Sequence, residues 1–484
     1  MKVKICFRVS LALFITISAI LWSLTLGIEP VLGQVQPPSP RELDALDVHL
    51  PIVFNRFPPP APVFGIETIQ LNTTKLDRIE QANAYWVRHF SISWEDIEPV
   101  RRVPAEYHWE TVNEAGLQEA STRNLKVIAT IRFTPSWAQK IPPYACGPIA
   151  STQFGRFADF LRALVTRYSA PPYNVKYWEI GNEVDVDPSL VDPHFNLGCW
   201  GDMNDPYYGG GYYGQMLQWA YPAIKAADPT SQLLIGGLLV DCDPTYPPPS
   251  PGQSCTPAKF LEGILRSGGG SYFDIVSFHG YAYYLGGTAQ PIMEETHPGW
   301  NERGGVILGK IDFLREVLSD FGVSKPLMLT EGSLICPEWS GVCSPPDASF
   351  YEIQADYVVR LFVRTWAANL VGTIWYALDN EGWLYSSLYS GSTPKPAFYA
   401  YQFMAQELAG TIIGDAITLY PGVTGYEFFE HGKKIWVLWA TDWQNHTITL
   451  PSGTIQVLDK YGNLVTPTAG QVTVNSPIYI ELSD

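Results

Sequence analysis

The sequence predicts an α/β fold, a (β/α)8 TIM barrel with a small C-terminal antiparallel β-sandwich domain. Two observations carry that prediction. Over residues 64 to 409, eight short β-rich apolar runs alternate with amphipathic helical stretches, the order expected of βα units around a parallel sheet. After about Gly410 the texture changes to short alternating strands separated by turn residues, with no helical period left.

The strand candidates, in order, are FGIETIQL (64–71), YWVRHFSI (85–92), LKVIATIRF (125–133), VKYWEIGNE (175–183), QLLIGGLLV (232–240), FDIVSFHGY (273–281), PLMLTEGSL (326–334) and VGTIWYAL (371–378). Most are rich in Val, Ile, Leu and aromatic residues, which suit a strand buried on both faces. The helical stretches between them include FGRFADFLRALVTRYS (154–169), VILGKIDFLREVLSDFG (306–322) and ADYVVRLFVRTWAANL (355–370), with apolar residues three and four apart. Long insertions follow strand ends, at residues 185–213, 241–256 and 281–303, where a barrel of this type carries its binding loops. Residues 410–484, with the runs GYEFFEHGKKIWVLWATDW, HTITLPSG, TIQVLDKYGN and QVTVNSPIYIEL, form the sandwich, read as an accessory domain that packs against the barrel.

Ahead of the barrel stand two segments of a different kind. Lys2, Lys4 and Arg8 precede a mostly apolar run from Val9 to Leu26 and small or short residues at Val31 and Gly33, which reads as a signal peptide over residues 1–33. The run is also long enough to stay as an uncleaved N-terminal membrane anchor, and no other stretch suits a span. Residues 34–63 form a Pro-rich leader, a stiff extended spacer. The expected location is therefore secreted or extracytoplasmic, with a tethered form as the variant.

Among 484 residues, 46% are hydrophobic, so a packed core rather than disorder is expected. A net charge of -17 repels phosphate backbones and anionic membranes, which argues against nucleic acid as a partner. Cys6 leaves with the signal, and the remaining six cysteines suit three disulfides in an exported protein. Proximity favours Cys242 with Cys255 and Cys336 with Cys343, leaving Cys146 for Cys199. There is no CxxC or HxxxH, so a zinc site is not expected, and the two-carboxylate chemistry argued below needs no cofactor. The chain is expected to act as a monomer.

Catalytic groups in such barrels sit at the C-terminal ends of strands. Glu183 ends the fourth run in WEIGNE, and Glu331 closes LMLTE in the seventh. Carboxylates on strands 4 and 7 face each other across the mouth, as glycosidic-bond cleavage requires: one acid protonates the leaving oxygen and one anion attacks the anomeric carbon. Glu179 shares the strand of Glu183 and is the competitor. Its interior place favours a structural carboxylate, and the Asn-Glu dipeptide favours Glu183.

WEIGNE resembles the Asn-Glu acid/base motif of clan A glycoside hydrolases, the retaining (β/α)8 enzymes that include families 5 and 39, and LTEGS resembles their strand 7 nucleophile motif. WVRHFSISWEDIEP (86–99), TIRFTPSWA (130–138), SFHGYAY (277–283), IWYALD (374–379) and TPKPAFYAY (393–401) resemble further segments in the same order. The resemblance covers roughly residues 64 to 409, and the terminal sandwich resembles the accessory domain beside such barrels. It implies Glu183 as acid/base, Glu331 as nucleophile, Asn182 on the sugar 2-hydroxyl, Arg88 as the ion-pair partner of Glu331, Tyr281 as its hydrogen-bond donor, His279 on the acid/base side, and Trp375 as the floor beneath the sugar. Trp94, Trp137, Trp300 and Trp383 lie in or near loops at the mouth and could stack sugars, but most aromatics in a chain this rich in them are packing groups, so they stay outside the site. Val184 and Asp185 follow Asn-Glu where family 5 members often have Pro, which leaves the chain family 39-like or family 5-like.

The reading is a secreted retaining glycoside hydrolase that cleaves β-glycosidic bonds by double displacement, on a neutral polysaccharide or oligosaccharide given the acidic surface. The alternatives are a transglycosylase using the same residues and a non-catalytic carbohydrate-binding surface protein. A retaining mechanism predicts the two carboxyl groups about 5 to 5.5 Å apart.

Overall fold

The computed structural model describes residues 62–248, 255–379, 383–430 and 432–483. The expected signal peptide and nearly all of the expected Pro-rich leader lie outside them. Eight parallel strands close into a barrel: β1 (Phe64–Thr68), β2 (Trp86–Ser93), β3 (Lys126–Arg132), β4 (Tyr177–Ile180), β5 (Gln232–Leu238), β6 (Ile275–Tyr284), β7 (Leu327–Ile335) and β8 (Thr373–Trp375). Each pairs with its neighbour in sequence, β8 returns to β1, and the pairing of β5 with β6 completes the ring. The principal helices are α1 (Thr73–Gln81), α2 (Glu114–Thr122), α3 (Phe154–Tyr168), α4 (Gly210–Ala227), α5 (Phe260–Arg266), α6 (Val306–Asp320), α7 (Ala348–Ala367) and α8 (Pro396–Glu407), one after each strand. Helix α7 starts seven residues before the expected 355 because Asp347 caps it, accepting from the amides of Ser349 and Phe350.

Strand alternation fills the barrel in tiers. Trp86, Ile128, Leu234, Ile275, Met328 and Ile374 pack as one apolar cluster with Tyr177 against it. Two residues further along their strands stand Arg88, Thr130, Glu179 and Ser277, which are joined by hydrogen bonds through Glu179. The interior thus changes from apolar to ionic toward the mouth. On β7 the alternation is interrupted. Phe278 of β6 pairs with Leu329 but His279 pairs with Glu331, so Thr330 is an extra residue, a β-bulge. Regular alternation from Met328 would turn Glu331 away from the barrel axis, and the bulge turns it in.

The C-terminal region forms two antiparallel sheets from β9 (Ile412–Ile417), β10 (Val423–Glu430), β11 (Lys433–Ala440), β12 (His446–Thr449), β13 (Thr454–Asp459), β14 (Gln471–Val474) and β15 (Ile478–Ser483). The larger sheet runs β9-β10-β11-β15-β13, and β12 pairs with β14 in the smaller. Along β11, Ile435, Val437 and Trp439 belong to the barrel's core cluster, while Leu438 joins Ile448, Val472, Val474 and Ile480 between the two sheets. The sandwich is held on α7 and α8 by ring contacts, Trp366 with Phe428 at 5.3 Å and Phe403 with Tyr479 at 5.0 Å. A buried ion pair, Lys460 with Asp356 at 2.7 Å, adds to them.

Cys146–Cys199, Cys242–Cys255 and Cys336–Cys343 are the three disulfides, the pairing expected from proximity. The six bridged cysteines lie in segments that follow barrel strands, so the bridges staple the loops of the mouth. Among the described residues no helix is long and apolar enough to cross a membrane.

Candidate active site

Strand β4 stops at Ile180, three residues short of the expected end, because the chain then turns sharply. Gly181 has φ +84°, where an added Cβ would meet Val184 Cγ1 at 2.4 Å, and Glu183 has φ +53°. The left-handed region costs a residue such as Glu about 1 kcal/mol, so neighbours must hold it there. The Gly198 amide donates to the Asn182 carbonyl, and that of Trp200 donates to the Val184 carbonyl at 3.1 Å. Val184 is fully buried, and the Asp185 carboxylate accepts from the amides of Leu239 and Val240, both at 2.9 Å. The Val-Asp pair that departs from the family 5 pattern therefore anchors the turn that presents Glu183.

Arg88, completely buried on β2, is the hub. Its guanidinium donates to Glu179 and Glu67 at 2.7 Å, to Glu331 at 2.5 Å and to Asn182 Oδ1 at 2.8 Å. Glu179 also accepts from Thr130 and Ser277 at 2.9 Å, so it is committed to the interior, in agreement with its structural reading. The second Glu331 oxygen accepts from the Tyr281 hydroxyl. His279 Nδ1 lies 2.8 Å from Glu183 and 3.5 Å from Glu331.

One donor atom from each of Glu183, His279 and Glu331 lies within 4.8 Å of the others. The two carboxyls therefore share one small space, with the imidazole of His279 between them. The same three residues are the one group among the described residues with donors placed for a metal ion. Each Glu331 oxygen accepts one bond, from Arg88 and from Tyr281.

The electrostatics separate the two carboxyls. Burial, then the charge of Glu331, pushes the Glu183 carboxyl well above the usual carboxylate range. Burial also raises Glu331, but Arg88 and the Tyr281 hydrogen bond pull against it. The two carboxyls thus differ in surroundings: Glu331 has a cation and a hydroxyl donor bonded to it, and Glu183 has the imidazole of His279. Burial, helped by Arg88 and Lys310, holds His279 well below the usual imidazole range, so the ring between them is neutral.

Trp375 does not reach the mouth. It is 0% exposed, its ring packs with Tyr357 of α7 at 6.5 Å, and its indole N–H donates to the Ser386 carbonyl. Ile374 takes the inward position on β8, so period two turns Trp375 to the helices and Tyr376 inward. Tyr376 stands 6.1 Å from the Tyr281 ring and 5.2 Å from that of Trp383, which is itself 4.8 Å from Tyr281. Tyr376 and Trp383 thus form one aromatic cluster with Tyr281, the ring bonded to Glu331, and Trp375 is not part of it. Trp94 and Trp300, by contrast, are buried packing groups.

Three further charged residues were not singled out in the sequence as part of this constellation. Glu67 is the inward residue of β1 opposite Arg88, with nothing local to mark it. Asp185 acts through the turn just described. Lys310 carried a legible signal, a cation on the apolar face of α6 between Ile307 and Leu314. It is buried, donates to the carbonyls of Leu239 and His279 at 2.5 and 2.9 Å, and has its pKa lowered by burial to about 8.

Gly237 completes the setting of His279. A Cβ there would meet His279 Nε2 at 2.1 Å. Gly237→Ala is expected to lower folding stability by about 1 to 3 kcal/mol through overpacking, read by urea unfolding. A variant as stable as the parent would place the imidazole elsewhere.

No family model matches the sequence, and no curated protein matches it. Solved structures do. A family 39 glycoside hydrolase from Bacteroides cellulosilyticus WH2 superposes with TM-score 0.61 at 18% identity, over 88% of this chain and 81% of that one. A family 30 subfamily 8 xylanase from Clostridium acetobutylicum gives 0.54 at 12% identity, over 87% and 96%. A family 51 α-L-arabinofuranosidase from Bifidobacterium longum gives 0.53 at 14%, over 88% and 96%. The barrel with its terminal sandwich is the fold these glycoside hydrolases share.

Proposed function

We propose that the chain is an exported retaining glycoside hydrolase that cleaves β-glycosidic bonds, with Glu331 as nucleophile and Glu183 as acid/base. The observation that carries this reading is the pair of buried carboxyls with oxygens within 4.8 Å, one facing Arg88 and Tyr281 and the other not. In the first step a Glu331 oxygen attacks the anomeric carbon. The bond to the leaving oxygen breaks as Glu183 gives that oxygen its proton. In the second step the Glu183 carboxylate takes a proton from water, the water oxygen bonds to the anomeric carbon, and Glu331 leaves as the carboxylate.

The other residues serve that exchange. His279 Nδ1 accepts from protonated Glu183 or, as the other tautomer, donates to its carboxylate, so one contact fits both steps. Arg88 keeps Glu331 ionised, and Asn182, held by Arg88, offers its amide to the sugar 2-hydroxyl. Tyr376 and Trp383 replace Trp375 as the aromatic wall beside the sugar. The acidic chain favours a neutral glycan. Export is supported by three disulfides, which persist in oxidising compartments.

The test is sugar release from xylan, mannan, β-glucans and aryl β-glycosides, with an aryl α-L-arabinofuranoside to check the linkage. The anomeric configuration of the first-formed product is followed by proton NMR. Release with the configuration of the substrate is expected. An inverted product, or no release from any member by folded protein, would sink the reading.

A further inference from the structure

Alternate residues of β6 climb one face from the barrel interior to the mouth, and each meets a different partner. The Ser277 hydroxyl donates to Glu179 at 2.9 Å, His279 faces Glu183, and Tyr281 donates to Glu331. Period two puts Tyr283 on the same face, about 7 Å beyond Tyr281, past the last group of the proposed machinery. Its half-buried ring is backed by His297, nearly parallel at 5.8 Å and 22°. On its other contact lies Trp339, at 5.6 Å and 50°.

Trp339 is 63% exposed, an indole left in water beside the mouth. It sits on a short turn, Glu338–Ser340, between Cys336 and Cys343, whose disulfide ties that turn to the end of β7, the strand of Glu331. The Ser340 hydroxyl donates back to the Pro337 carbonyl at 2.8 Å. A large ring on a loop anchored at both ends has little freedom left to lose when something covers it. The ligand that fits a ring face beside a sugar site is another sugar ring, whose C–H face stacks on aromatics while its hydroxyls stay wet.

We propose that Tyr283 and Trp339 form a platform for a further sugar unit, so that the cleft is built for oligo- or polysaccharide chains rather than for single glycosides. This rests on the glycoside hydrolase reading and adds the length of its substrate. The rings at Tyr281, Tyr376 and Trp383 serve the sugar being cleaved. Tyr283 and Trp339 serve the next one out.

Two measurements on the full chain test it. For cleavage, Trp339→Ala should lower kcat/KM on the best glycan by about tenfold, as loss of one stacking contact implies, and leave an aryl monoglycoside within about twofold. Trp339→Phe should recover most of the loss. An equal loss on both substrates, or none on the glycan, overturns the proposal. For binding, xylohexaose, mannohexaose and cellohexaose are titrated calorimetrically into Glu331→Gln. Trp339→Ala in that background should weaken the hexaose that binds and leave the corresponding disaccharide unchanged. If the wild type cleaves nothing yet the hexaose still depends on Trp339, the platform stands and the hydrolase reading falls. If no hexaose binds, the platform falls.

Discussion

Glu331→Ala should lower turnover by about 10⁴-fold or more while the protein stays folded, because on the proposed mechanism the variant has lost the atom that attacks carbon and none of the atoms that hold the barrel. Arg88 keeps Glu67 and Glu179, each at 2.7 Å. Three carboxyls share that one guanidinium, and mutual repulsion contributes to raising Glu67 well above the usual carboxylate range, after burial, the larger cause. Removing one of the three relieves repulsion rather than leaving a charge unpaired, so the melting temperature should match or exceed that of the parent. Added formate, a small carboxylate, should restore part of the activity by occupying the space Glu331 leaves and attacking the same carbon. The measurement is turnover with and without formate beside a thermal melt. A folded variant that keeps a tenth of the parent's activity would rule Glu331 out as nucleophile.

Glu183→Gln should lower cleavage of natural glycans by about 10²- to 10⁴-fold, the range of a lost general acid, and lower cleavage of aryl glycosides with acidic leaving groups far less in the first step. The amide keeps the shape of the side chain and a bond to His279 but has no proton to give. The pH profile separates this from a structural effect. In the proposed mechanism Glu183 must be protonated in the first step, so activity is expected to fall as pH rises through its raised pKa. Glu331 must be ionised, so activity also falls as pH drops through its own. In Glu183→Gln the alkaline limb should vanish and the acid limb remain. An unchanged alkaline limb would assign that titration to another group.

The eight strands were legible because each is a short β-rich, largely apolar run and each helix repeats at three and four residues, and both periods are local. The facing pair was legible for a similar reason: Glu183 and Glu331 fall at or near the ends of the fourth and seventh runs, and chain order alone puts those ends across a barrel mouth. Arg88, His279 and Tyr281 came with the resemblance, and all three touch one of the two carboxyls. The bridge pairing followed from short loops.

What the tertiary structure decided is where local period breaks. Alternation counted from Met328 would turn Glu331 outward, and only the bulge at Thr330, set by pairing with β6 and β8, turns it in. Trp375 and Tyr376 compete for one inward position, and Ile374, packed with Trp86 and Met328 from other strands, settles it for Tyr376. Glu67 reads as any strand acid until β1 lies beside β2 and aligns it with Arg88. Composition and periodicity determine which elements form, because they depend on neighbours within a turn or two. Which of two adjacent side chains enters the site depends on register between strands far apart in sequence, and that is fixed only when the barrel closes.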